Sequence, residues 1–360
     1  MAASPLKSWP PPDYSHLPFG GRTPVKGLKV GRKIALGEPL ALAQAPNQGD
    51  LLAPTAGVIK GLNGRYVTLT PGPSLAGPGE PADLTNLKGP ALAKALQSLG
   101  LGLPFIPLTE TVVVTALDPE PDLTLAQTLW SEWPLVMSEG LKVIKRIYPD
   151  HDKILARPDS WPLNPDFPSQ AITKPWPLTW GPFLRPSLGL SYAKGLKAHF
   201  DSRDVYLLGQ LARTGRPLRL YPVAIQGQNY LLPPGQRPFD LLTRLSLTPQ
   251  PLDQVTLDGL RLGRPTARLN EGLAESVFAL NLIRARDLAP APGPCRACAA
   301  CQKACPLQLP IQSLAQKDLK LWPNLGPLVR KLLFNCPNCG QCALACPAAR
   351  PLRYLTSWAL

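Results

Sequence analysis

Cys295-Arg296-Ala297-Cys298-Ala299-Ala300-Cys301-Gln302-Lys303-Ala304-Cys305-Pro306 returns later in the chain as Cys336-Pro337-Asn338-Cys339-Gly340-Gln341-Cys342-Ala343-Leu344-Ala345-Cys346-Pro347. The two runs share the spacing C-x2-C-x2-C-x3-C-P and hold all 8 cysteines of the 360-residue chain. That is the spacing of bacterial two-cluster ferredoxins, in which three closely spaced thiolates wrap one cubane and the fourth ligates the other. On this rule Cys295, Cys298, Cys301 and Cys346 hold one [4Fe-4S] cluster, and Cys336, Cys339, Cys342 and Cys305 hold the second. Structural zinc needs only two C-x2-C pairs and leaves the other cysteines of each run unexplained. Disulfides belong to oxidising compartments and scattered spacings. The expectation is two [4Fe-4S] clusters and electron transfer.

Outward from the runs, the chain is far longer than a free ferredoxin and has room for two or three further domains. Apolar residues make up 44%, enough for packed cores. Proline is the outlier, with 46 residues beside 29 glycines, which predicts a folded but loop-rich chain of short elements. The formal net charge of +14 favours acidic partners. No basic run is interleaved with aromatics as a nucleic-acid platform would be, so nucleic acid is not expected. The start, Met1-Ala2-Ala3-Ser4-Pro5-Leu6, lacks a charged region followed by an apolar one. No apolar run of ~18 residues occurs. A cytoplasmic protein with at most peripheral membrane contact is expected.

The fold class expected is α/β multidomain. Residues 1–82 read as a proline-rich extended arm (1–20) and a β barrel-sandwich. Its phrases Ala53-Pro54-Thr55-Ala56-Gly57-Val58 and Arg65-Tyr66-Val67-Thr68-Leu69 give short strands and tight turns. A biotinyl or lipoyl carrier has similar phrasing, but no carrier-type Met-Lys turn is present. Residues 83–190 read as a Rossmann-like α/β domain. It runs from a helix over Leu87–Leu99, through Gly100-Leu101-Gly102-Leu103-Pro104, to a buried strand over Thr111–Ala116. An acidic loop with Asp118 and Glu120 follows, then a helix from Leu125 to Tyr148. Its Pro/Trp-rich end (Trp161, Trp176, Trp180) suggests packing anchors. Residues 191–265 read as a basic segment and a β-grasp-like unit. That unit has a strand over Tyr221–Ile225, a helix over Phe239–Leu245 and strands at Gln254–Gly259 and Arg261–Gly263. Residues 266–360 form the α-helical dicluster ferredoxin-type domain, with helices expected near Ile311–Lys320 and Gly326–Phe334.

Taken together, these residues resemble the C subunit of the Rnf ion-translocating electron-transport complex. Phe19-Gly20-Gly21-Arg22-Thr23-Pro24 is similar to that family's amino-terminal F-x-G-G-I-H-P. Ala53-Pro54-Thr55-Ala56-Gly57-Val58 is similar to its A-P-T-S-G-T-V. Glu120-Pro121 matches the end of its A-E-C-E-P-Y strand, and Leu232–Leu242 its soluble-ligand-binding β-grasp phrase. Cys346-Pro347-Ala348-Ala349-Arg350-Pro351-Leu352 is close to its C-P-x-x-x-P-L. The resemblance implies a peripheral subunit of a redox-driven ion translocase, meeting other subunits of a membrane redox complex and an acidic soluble redox donor. It also implies FMN and NADH, for which Gly100, Gly102 and Glu120 are the candidate residues. The family's G-x-G-G-A-G-F-P-T loop is shortened here to Gly100–Pro107, and Pro104 removes an amide donor, which argues against FMN. Two alternatives accompany this reading: a self-contained NADH- or flavin-dependent dehydrogenase, and a non-catalytic cluster-bearing assembly protein.

Overall fold

The computed structural model describes residues 4–72, 80–104, 111–161, 167–174, 176, 181–190, 199–260, 263–287, 293–316, 336, 339–350 and 352. Among these residues the α-helices, in chain order, are α1 (Gly89–Ser98), α2 (Leu125–Glu132), α3 (Pro134–Ile147), α4 (Gly181–Ser187), α5 (Ser202–Thr214), α6 (Pro238–Arg244), α7 (Ala300–Lys303), α8 (Ile311–Ala315) and α9 (Gln341–Leu344). The result is a mixed α/β chain of several sheets with the cysteine segment at its C-terminal side. The expected helices near Ile311–Lys320 and Gly326–Phe334 are met by α8 for the first; the second lies outside the described residues.

Two small antiparallel sheets come first. One pairs Ser15–Pro18, Tyr66–Pro71, Gly57–Leu62 and Lys33–Ile34; the other pairs Thr23–Pro24, Pro39–Leu42 and Leu51–Leu52. Alternation along Tyr66–Pro71 turns Val67 and Leu69 inward, onto Leu17, Phe19, Ile34, Leu40 and Ile59. The arm is anchored at two points. Lys7–Ser8 adds a parallel strand beside Tyr230 and Leu231, and the buried Trp9 stands edge-on to Tyr230 with ring centroids 5.1 Å apart.

A four-stranded, wholly parallel sheet follows, in the order Ser169–Ile172, Lys153–Pro158, Val112–Thr115, His199–Phe200. Val112–Thr115 is buried along its whole length, as a central parallel strand covered on both faces must be. The long helix expected from Leu125 to Tyr148 is two helices. The chain breaks at Trp133, and Pro134 starts α3, where a missing N–H costs nothing. The stretch read as a basic segment contains Phe200 and α5, which complete this sheet and its helical cover. Asp201 and Asp204 form a reciprocal capping box at the start of α5, and Gly215 (φ +58°) ends it. α5 crosses α3 so closely that a Cβ on Gly140 would stand 2.0 Å from the Val205 carbonyl oxygen, and one on Gly209 would stand 1.9 Å from that of Val136. Arg203 is buried and donates to the Pro222 carbonyl at 3.0 Å, so it braces the core instead of adding to a basic surface. Lys194 and Lys197 lie outside the described residues.

The third unit is a six-stranded mixed sheet in the order Lys7–Ser8, Gln228–Leu232, Tyr221–Ile225, Ala279–Ile283, Gln254–Leu257, Arg264–Thr266. The strand expected at Arg261–Gly263 begins instead at Arg264; residues 261 and 262 are outside the described set. Of the tryptophans read as packing anchors, Trp161 packs on Trp130 (centroids 6.1 Å apart) and Trp176 donates to the Pro119 carbonyl at 2.9 Å. Trp180 is not among the described residues.

Candidate iron-sulfur centre

Each cysteine of the second run follows its counterpart by 41 positions (295 and 336, 305 and 346), and the backbone repeats with the same offset. Ala299 (φ +59°) and Gly340 (φ +77°) open α7 and α9 in the left-handed region. Gln302 N–H donates to the Ala299 carbonyl and Ala343 N–H to that of Gly340, both at 3.0 Å. Cys305 N–H donates to Gln302 and Cys346 N–H to Ala343, both at 3.1 Å. The chain leaves each Cys-Pro through a second left-handed residue, Gln308 (φ +50°) or Ala349 (φ +49°). Three of these four left-handed positions carry side chains, which is uncommon. Such bends turn successive N–H groups to one side, making the concavities that suit anions and iron-sulfur sites. Two amides meet sulfur: Ala297 N–H donates to Cys295 Sγ at 3.5 Å, and Leu309 N–H to Cys305 Sγ at 3.4 Å.

The electrostatics show which thiols are neighbours. Burial pushes the Cys301 thiol up, and Cys346 and Cys295 add to the shift. Burial likewise raises Cys339, with help from Cys336 and Cys305. Cys342 is pushed up to about 12 by burial together with Cys336, Cys339 and Cys305. The last cysteine of each run therefore stands with the other run. Cys298 is exposed.

Several buried or half-buried thiols cannot all ionise together without added positive charge; metal ligation supplies that charge and deprotonates a coordinating thiol outright. Around the sulfurs, Leu309, Ile311, Ala315 and Leu352 form a buried apolar cluster with Cys301 among the described residues. Among the described residues no three or more His, Cys, Asp or Glu side chains converge to hold one metal ion. In a cubane each thiolate meets its own iron, so the donors surround a volume and not a point. The donor set fits [4Fe-4S] clusters.

Gly100, Gly102 and Glu120 are not brought together as a flavin site. Leu99, Gly100 and Leu101 close α1 in a Schellman motif: Gly100 N–H donates to Gln97 O and Leu101 N–H to Leu96 O, each at 3.0 Å. Gly100 takes φ +95°. Leu103 N–H is committed to Pro46 O at 3.1 Å. The turn also follows a helix C-terminus, the negative end of the dipole, whereas phosphate sits at an N-terminus. Gly102 lets the turn press against residues 46–50, since a Cβ there would lie 2.3 Å from the Asn47 carbonyl carbon. Glu120 is buried and accepts from Leu260 N–H at 2.8 Å. Asp118 accepts from Ala126 N–H at 2.8 Å and from Gln127 N–H at 3.4 Å, capping α2 from outside. These residues do not fit a flavin phosphate.

Sequence reasoning missed the left-handed alanines and the cations Arg296 and Lys303 beside the first run. The alanine-rich spacers were the available signal for the tight bends, and Arg296 and Lys303 stand in the run itself.

Residues 294–350 match the family described as a 4Fe-4S dicluster domain. No match is found among the curated proteins. Among solved structures, the chain is similar to that titled "Crystal structure of NAD+-reducing [NiFe]-hydrogenase in the air-oxidized state", with 13% identity and a TM-score of 0.36. That likeness covers 69% of this chain and 56% of the hydrogenase chain. Matched family, repeated backbone and crossed thiols agree: this chain carries a 4Fe-4S dicluster domain and with it an iron-sulfur electron-transfer role.

Proposed function

We propose that the protein is the iron-sulfur electron-transfer subunit of a membrane-associated, Rnf-type redox complex. In this reading it links a soluble donor, on the NADH or ferredoxin side, to membrane subunits that translocate ions. Cys295, Cys298, Cys301 and Cys346 hold one cluster; Cys336, Cys339, Cys342 and Cys305 hold the other. Bound there, two [4Fe-4S] clusters supply reversible one-electron chemistry. The residues around them orient the thiols, limit water through Leu309, Ile311 and Leu352, and donate amide hydrogen bonds to sulfur, which tune potential. The observation that carries the reading is the exchange of Cys305 and Cys346 between the runs. Single-ion sites formed within each run would have no use for it.

The barrel-sandwich, the Rossmann-like unit, which takes in His199–Phe200 and α5, and the β-grasp-like sheet, which runs on through Ala279–Ile283 and so past the boundary expected at 265, serve as a scaffold that positions the C-terminal dicluster domain against neighbouring subunits at the cytoplasmic face of a membrane. No described helix is long and apolar enough to cross one, and the proposed contact is peripheral. The alternative, a self-contained NADH- or flavin-dependent dehydrogenase, is disfavoured by the commitment of the Gly100, Leu101 and Leu103 amides to carbonyls.

Anaerobic purification with iron, acid-labile sulfide and flavin measured together tests this. The expected result is about eight iron and eight sulfide per chain with no flavin, even after FMN is added. Stoichiometric FMN would restore the dehydrogenase reading. Zinc in place of iron would remove the function altogether.

A further inference from the structure

The two runs share one backbone but not one surface. In the first, Arg296, Ala297, Cys298, Gln302 and Lys303 are all exposed. In the second, Cys339, the counterpart of Cys298, is buried, as is Gly340. The counterpart of Lys303 is Leu344, which is 55% exposed, and the counterpart of Arg296 is Pro337. The open run is therefore cationic, and the closed run is uncharged at the same places. Across 294–350 the sequence holds seven Lys and Arg against a single acid, Asp318.

We propose that the exposed face around Cys298, flanked by Arg296 and Lys303, is the docking surface for a small acidic electron-carrier protein. This rests on the dicluster reading above. A redox centre exchanges electrons fastest where least protein covers it, and the covering is thinnest at Cys298. Cations around that opening steer an acidic partner to it and orient the encounter, an effect that governs association rate and specificity and fades with salt. Each encounter moves one electron between the partner's centre and this one; one is oxidised as the other is reduced, and no atom is transferred. The second run, uncharged at the matching positions and with Cys339 buried where Cys298 is exposed, is the side that faces the rest of the protein's own electron path.

The test uses the full chain with its clusters and an acidic plant-type [2Fe-2S] ferredoxin as probe. Its affinity is measured by calorimetry at ~10 mM and ~500 mM salt, where the screening length falls from about 30 Å to only a few ångströms. Three proteins are compared: wild type, Arg296→Glu/Lys303→Glu and Leu344→Glu. Iron content and the EPR spectrum of the reduced clusters are recorded for each. The expected result is at least a ~10-fold rise in Kd for the double variant at low salt, less than ~2-fold at high salt, and less than ~2-fold for Leu344→Glu. Basic cytochrome c should not bind the wild type. If charge reversal costs iron, Arg296→Gln/Lys303→Gln replaces it, with a rise of several-fold expected. Equal affinities across the three proteins with iron intact, no binding of ferredoxin by the wild type, or binding to anionic vesicles alone through these two cations would overturn the proposal. Loss of the clusters from the wild type would instead sink the dicluster reading, so the two failures are distinguishable.

Discussion

The cysteine repeat and the glycine turn at 100–104 both bend the backbone into the left-handed region, and they aim their amides in opposite ways. Around the cysteines, Ala297, Ala299 and Gln308 take positive φ, and amides at 297 and 309 meet sulfur. In the turn, Gly100 takes positive φ and the amides at 100, 101 and 103 all meet carbonyl oxygens of residues 96, 97 and 46. A bent loop binds something only when its donors are left over after the chain's own needs are met. Glycine in a spacing motif says that backbone comes close to something; it does not say whether that is a phosphate or another strand. A set of eight thiols in two matched runs has far fewer uses.

The largest expected effect breaks the repeat. Cys346→Ala sits in the second run but should empty the site of the first, so iron falls from about eight to about four per chain. Cys298→Ala should give the same loss, and the double variant should lose no more than either single one. Cys346→Ala combined with Cys339→Ala should remove nearly all the iron. The opposite pattern, additive loss for the 298/346 pair and no further loss for the 339/346 pair, would mean that each run serves its own cluster.

The glycine turn is sharpened by Gly102→Ala. Its new methyl would overlap the Asn47 carbonyl, and forced overpacking at a backbone contact costs about 3 kcal/mol. Gly64→Ala, where nothing lies within 4 Å of the added Cβ, should stay within about 1 kcal/mol of wild type. Urea unfolding of flavin-free protein reads both. A phosphate cradle would respond differently, with stability unchanged by Gly102→Ala and flavin retention lost.

The division between the two regions also marks how far the sequence was legible. Cysteine spacing is a direct imprint of cluster chemistry, and hydrophobic runs such as Val112–Val114 and Tyr221–Ile225 announce their strands because burial on both faces demands it. α5 was hidden by its charges, although Asp201, Asp204 and Gly215 spell out both of its ends; buried Arg203 made a core helix look like surface. Lys7–Ser8 is too short to show periodicity, and its pairing with Tyr230 and Leu231 is set by tertiary contact alone. Gly100 caps α1 through its own neighbours Leu96 and Gln97, but the tasks of Gly102 and Glu120 depend on Asn47 and Leu260, distant in sequence, so no local pattern could reveal them.

Asp118 gives the smallest effect and the most direct test of whether the loop after Val112–Thr115 has any group left for a ligand. Burial raises its carboxyl to about 6, against the hydrogen bonds from the Ala126, Gln127 and Leu125 amides that lower it. The folded value thus lies above the unfolded one of 3.8, and the native state keeps a proton that the unfolded chain has lost. Stability from this group is therefore fully present below pH 3.8 and declines as pH rises to about 6. At 1.36 kcal/mol per pKa unit the decline is about 3 kcal/mol, and the residue's partial contact with solvent brings it nearer to about 2. Asp118→Asn keeps an oxygen to accept from Ala126 and Gln127 but does not titrate. Subtracting its unfolding free energy from that of wild type cancels the other carboxylates. The difference should fall by about 2 kcal/mol between about pH 4 and pH 7, then level off. A flat difference would mean an ionised, solvated Asp118, a carboxylate with capacity to spare, and would reopen the loop as a ligand site.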